Sequence, residues 1–193
     1  DLAASLAEGL RAHLRELSAR VPGASLVLQI DEPSLPAVLA GQVPTESGFG
    51  TLRAVEAQTA TETLRDIVSA VGVPVIAHCC APSAPVGLFR EAGAVAVALD
   101  LDQITDLDEV GEALDAGLGL LAGAVPTVAR RAPSSAEVAD RLRRLWRKLT
   151  FPLERLPEQV VVTQACGLAG ASHEYAREAL TACREAARRL TEG

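Results

Sequence analysis

Five short apolar stretches, spaced along the whole chain, constrain its fold more than any other feature. They are Leu26–Ile30 (LVLQI), Val73–Ala77 (VPVIA), Val95–Leu99 (VAVAL), Leu118–Ala122 (LGLLA) and Val160–Gln164 (VVVTQ). Each is apolar nearly throughout, with no polar residue at every second position. Strands of that kind belong to parallel sheets covered on both faces.

Helical patterns fill the gaps. Leu2, Leu6, Leu10, Leu14 and Leu17 recur at helical spacing over residues 2–20, with Asp1 placed to cap the helix and Pro22-Gly23 to stop it. Residues 34–58 read as an irregular excursion, and Thr59 with Glu62 as a capping box for a helix running to Val71 and closed by Gly72. A short helix over 86–92 ends at Gly93, and another from Leu107 to Ala116 ends at Gly117. Ser134 and Glu137 box the start of a helix over 135–149, whose buried stripe is Leu142, Leu145 and Leu149. Pro152 and Pro157 punctuate a loop. Ser172 caps a last helix to residue 191, with Ala176, Leu180, Cys183, Ala187 and Leu190 on one face.

Strands alternating with helices define an α/β fold. Two architectures compete, an open doubly wound sheet and part of a (β/α)8 barrel. No glycine-rich phosphate fingerprint follows any strand, which weakens the dinucleotide-binding form. Five strands do not close an eight-stranded barrel, so a barrel requires about three βα units ahead of Asp1. The chain opens without an initiating methionine and runs straight into a helix, as expected of a fragment. A partial barrel exposes strand edges, which predicts self-association.

Composition narrows the function classes. The 193 residues carry a net charge of −7, and the basic residues fall mainly on helices, including Arg141 to Lys148, which reads as a solvated face. That disfavours a nucleic-acid or anionic-membrane partner. No apolar segment approaches a membrane span and no signal-peptide pattern opens the chain. The four cysteines, Cys79, Cys80, Cys166 and Cys183, do not form a secreted disulfide framework, so a reduced, cytoplasmic setting is expected.

Polar and sulfur-bearing residues gather at the carboxyl ends of the strands. Asp31-Glu32, His78-Cys79-Cys80, Asp100 (with Asp102) and Cys166 each follow a different one. In parallel α/β folds that edge is where active sites are built. Alternate residues of a strand share a face, so His78 and Cys80 converge while Cys79 turns away into packing. Imidazole and thiolates are the ligands zinc prefers, and Cys166 supplies a third. Asp100 reads equally as a helix cap or as an oxygen ligand. One carboxylate of Asp31-Glu32 is expected to bind a cationic group of a substrate. Cys183 lies on an apolar helical face and reads as core, while His13 and His173 read as surface residues.

Three motifs carry a resemblance. QIDEPSL (Gln29 to Leu35), AHCC (Ala77 to Cys80) and QACGL (Gln164 to Leu168) resemble the carboxyl-terminal catalytic domain of cobalamin-independent methionine synthases, in order and strand placement, from about Leu26 to Ala171. The resemblance implies a (β/α)8 barrel of which residues 1–193 are the carboxyl-terminal part, holding its last five βα units. It implies zinc on His78, Cys80 and Cys166, with the ion binding the thiol of homocysteine as a thiolate that attacks the methyl group of a methylated folate. Asp31, from the DEP motif, is implied to contact the amino-acid substrate.

The departures fall on the donor side. The family's fourth ligand is a glutamate at the end of the next strand, where this chain has Leu99-Asp100, so Asp100 or Asp102 would have to replace it. A histidine that the family places after the following strand is missing from Ala124 to Arg131 (AVPTVARR), and Ala37 stands near a glutamate used for folate. The methyl donor is therefore a folate or another carrier. Two other readings remain: a barrel like uroporphyrinogen decarboxylase, which needs no zinc, and a degenerate metal-binding domain without catalysis.

Overall fold

The computed structural model describes residues 2–192. Its elements run α1 (Leu2–Arg20), β1 (Leu28–Asp31), α2 (Leu35–Leu39), α3 (Ala57–Val71), β2 (Val75–Cys79), α4 (Val86–Glu91), β3 (Ala96–Asp100), α5 (Leu107–Asp115) and β4 (Gly119–Val125). They continue with α6 (Ser135–Lys148), a 3-10 turn (Leu153–Arg155), α7 (Leu156–Gln159), β5 (Val160–Gln164) and α8 (His173–Thr191). The strands form one five-stranded sheet in chain order, with β1 parallel to β2 and β4 parallel to β5. The chain is thus α/β with strands that follow one another across the sheet, each connection carrying helix. Among the described residues no helix is long and apolar enough to cross a membrane.

Two compact units divide the chain. The first comprises the residues up to His78 and Pro85–Val97. Its core joins Leu14 of α1, Val71 of α3 and Val75 of β2, with Leu10, Leu26, Leu28, Ile30, Val68 and Val73 packed around them. Gly72 ends α3 in the left-handed region at φ 70°, a conformation that glycine adopts without the Cβ clash.

The second unit comprises Cys79–Ala84 and the residues from Ala98 on. Here α6 packs on α8 and on β4, and α8 packs on β5. Trp146 is buried in the last turn of α6, its ring edge-on to Phe151 at 5.3 Å and its Nε1 donating to the Pro152 carbonyl at 2.9 Å. The Ser134–Glu137 capping box forms as the spacing predicts, with both reciprocal bonds present.

Several local expectations are corrected. The excursion over 34–58 contains the short helix α2, which Pro36 can enter because first-turn N–H groups need no helical acceptor. Thr59 and Glu62 form no capping box: α3 begins at Ala57 after Glu56, three residues before a Thr59 cap would start it, and Gln58 takes the Glu62 carboxylate instead. Pro157 lies in the first turn of α7 and not in a loop. In α1 the stripe is confined to its middle, since Leu2 and Leu6 are exposed and Ala7 and Leu14 are buried. The buried face of α8 is Tyr175, Ala179, Ala182, Cys183 and Ala186, whereas Leu180 is 54% exposed. Small alanines allow α8 a close approach to α6, so size outweighed hydrophobicity there. The capping role expected of Asp1 lies outside the described residues.

Candidate metal centre

β2 carries the first donor. Its interior residues Val75 and Ala77 are buried, and His78 is buried as well, at 8% exposure. The strand extends through Cys79, so His78 lies within it and not, as the sequence reading had it, just beyond its end. Cys79 is packed away at 1% exposure, while Cys80 is half-buried where the chain leaves the strand. Ser83 follows at φ 58°, turning the backbone sharply.

Cys166 arrives from the end of β5. The Ala165 N–H donates to the Val125 carbonyl at 2.8 Å, which fixes the chain one residue before the thiol. A bulge in β4 prepares that position: Gly123 pairs with Thr163 and Val125 with Gln164, leaving Ala124 without a partner on β5. Gly123 makes the close approach possible, because a Cβ there would stand 2.5 Å from the Leu99 carbonyl oxygen and 2.6 Å from the Ala165 Cα. A glycine inside an apolar strand, as Gly123 is in β4, is the sequence signal for such an approach.

The donor atoms of His78, Cys80 and Cys166 all lie within 4.8 Å of one another. Ligand atoms around a tetrahedral zinc ion stand roughly 3.5–4 Å apart, so one nitrogen and two sulfurs so disposed fit such an ion with small adjustments. Burial raises the Cys80 thiol above its ordinary pKa, and the hydrogen-bonded neighbour Cys166 raises it further. Two thiols this close resist ionising together, and a divalent cation between them would reverse that preference.

The acids take different places. Asp31 is the register neighbour of His78 on the adjoining strand, and its Oδ1 accepts from Gln29 Nε2 at 2.8 Å. The Glu32 N–H donates to the His78 carbonyl at 2.8 Å, and burial, with Asp31 beside it, raises the Glu32 carboxyl. The DEP segment is therefore stitched to the strand that carries the histidine. Asp100 ends β3 but does not join the three-donor cluster; its Oδ1 accepts from the Asp102 N–H at 2.9 Å. Asp100 does not cap α5, because that role falls to Asp106, which accepts from the N–H groups of Asp108 and Glu109. Asp102 is held by Arg141 at 2.6 Å. Arg141 is accordingly a partnered residue and not part of a solvated face.

His13 and His173 are exposed, and Cys183 is buried in the α8 face. Burial pushes the Cys183 thiol up to about 11, so near pH 8 only about one molecule in a thousand is the reactive thiolate. Brief treatment of the metal-free native protein with iodoacetamide should therefore label exposed Cys166 first and leave Cys79 and Cys183 untouched, while all cysteines react in denaturant. Peptide mapping that finds native Cys183 modified as fast as Cys166 would contradict the packing described above.

The family model for the cobalamin-independent synthase catalytic domain matches residues 1–189. The chain belongs to that family. No curated protein sequence matches it.

Proposed function

We propose that residues 1–193 form the carboxyl-terminal part of a (β/α)8 barrel, its last five βα units, and that this part carries the zinc centre of a methyltransferase acting on homocysteine. The observation that carries the reading is the convergence of His78, Cys80 and Cys166 from two separate strand ends. Membership of the cobalamin-independent synthase family, with the resemblance of the three motifs to methionine synthases, supports a thiol as the substrate.

In this reading His78, Cys80 and Cys166 hold zinc, and Asp100, at the end of β3, is the acid taken to complete the set. A divalent cation there lowers the pKa of an arriving thiol, so that its sulfur is nucleophilic near neutral pH. The protein's own contribution is placement. Asp31, fixed by Gln29 and level with His78, offers its carboxylate to the amino group of the amino-acid substrate. Glu32, less exposed than Asp31, shapes the same edge of the site. As the sulfur–methyl bond forms, the bond from methyl to its carrier breaks, and the carrier takes up the electron pair and then a proton. A methylated folate is the donor we favour, with another methyl carrier as the alternative.

Cobalt-substituted protein tests the reading, because thiolate–cobalt absorption reports each sulfur bound. Homocysteine is expected to raise that absorption and shift the visible bands, while methionine, whose sulfur is already methylated, leaves them in place. A spectrum indifferent to millimolar homocysteine would count decisively against a thiol substrate.

A further inference from the structure

The guanidinium of Arg141 reaches two strand ends at once. From α6 its Nη2 donates to Asp102 Oδ1 at 2.6 Å and its Nη1 to the Ala124 carbonyl at 3.1 Å. Neither partner is incidental. Asp102 follows β3, and its N–H holds the Asp100 carboxylate at 2.9 Å. Ala124 is the residue that the β4 bulge leaves without a partner on β5, so its buried carbonyl needs a donor from elsewhere. Further bonds tie the same shelf together: Leu101 N–H to the Gly123 carbonyl at 3.2 Å, Gln103 N–H to the Asp100 carbonyl at 3.0 Å, and Ala165 N–H to the Val125 carbonyl at 2.8 Å, next to Cys166.

We propose that Arg141 is a positioning residue of the metal centre, fixing Asp100 through Asp102 and the approach to Cys166 through the bulged carbonyl of Ala124. The proposal rests on the reading of the cluster as a metal site. Groups that hydrogen-bond a metal's ligands orient them, and their loss typically lowers metal affinity about 10- to 100-fold; Arg141 acts one step further out, through Asp102 and the Ala124 carbonyl, so its effect belongs at the lower end, about 10-fold. A planar fork that donates in two directions suits this task; an ammonium, a point donor, cannot span both acceptors in the same geometry. An exposed ion pair alone contributes little to stability, so an ordinary surface role would leave the metal untouched.

Three variants separate these roles: Arg141→Met removes both bonds, Arg141→Lys keeps the charge, and Asp102→Asn weakens one arm only. Each is loaded with cobalt for spectroscopy and with zinc for dissociation into a chromogenic chelator. Arg141→Met is expected to release zinc about 10-fold faster than the unaltered protein and to shift the cobalt bands. Arg141→Lys should recover part of the loss, and Asp102→Asn should move both readouts less, in the same direction. If Arg141→Met does not fold, Asp102→Asn carries the test by itself. An unaltered protein that takes up no cobalt overturns the metal reading and this proposal with it. Cobalt uptake with variants indistinguishable from the unaltered protein, in spectrum and in zinc release, overturns this proposal alone.

Discussion

Replacing Cys166 by serine together with His78 by alanine is expected to abolish stoichiometric zinc binding. The pair leaves Cys80 as the single donor of the cluster. Structural zinc sites with four donors bind with roughly 10–16 kcal/mol, so each donor accounts for about 3 kcal/mol, on the order of a hundredfold in affinity. Losing two should weaken binding about ten-thousandfold or more. The two positions differ in what else they do. Cys166 is exposed, so its exchange should leave metal-free stability unchanged, whereas His78 is buried and its truncation leaves a small void. Metal-free melting curves of the single variants therefore separate a packing loss at His78 from metal loss. Elemental analysis showing a full zinc equivalent on the double variant would remove the site from this cluster.

Gly123→Ala is expected to be the most damaging single-methyl change in the second unit. The added Cβ would meet backbone on both sides, the Leu99 carbonyl oxygen at 2.5 Å and the Ala165 Cα at 2.6 Å, with the Asp100 Cα at 3.2 Å. Side chains can rotate out of the way, but these atoms can move only if β3, β4 and the start of the Cys166 segment separate. Overpacking typically costs 1–3 kcal/mol, and a clash confined to backbone belongs at about 3 kcal/mol. The strain falls on the segments that carry Asp100 and Cys166, so zinc affinity should fall together with the denaturation midpoint. Gly111→Ala is the control, since its Cβ would touch only the flexible end of Leu149 at 3.3 Å. Equal stability for the two variants would show that the sheet yields there more readily than its packing implies.

Much of the fold was legible because strands and helices use different periods. The apolar runs located all five strands, and glycine at the ends of α3, α4 and α5 located those stops. The limits of the first four strands slipped toward the amino terminus, because an apolar run by itself marks neither burial nor pairing, while the fifth was read as it stands. Val27, for example, is apolar, exposed and outside β1. The donor cluster was legible for a related reason: parity carried one residue past the end of β2 separates Cys80 from Cys79, and parallel strand ends gather distant residues. Arg141 was not legible. A charged residue in a basic run looks solvated until its two acceptors, one of them created by a bulge, are placed beside it. The α8 face was misread for want of a size criterion, since alanines at helical spacing bury a helix as effectively as leucines when the partner is close.

The setting of Trp146 has a spectroscopic consequence. It is the chain's only tryptophan, and the one tyrosine, Tyr175, donates its hydroxyl to the Pro126 carbonyl in the same unit. Tryptophan emission from this chain therefore reports on the second unit, from an indole shielded from water and held to the Pro152 carbonyl. The first unit carries only the weakly emitting phenylalanines Phe49 and Phe89. Emission followed alongside circular dichroism thus distinguishes a chain that melts as one body from one whose halves come apart in turn, with no label added.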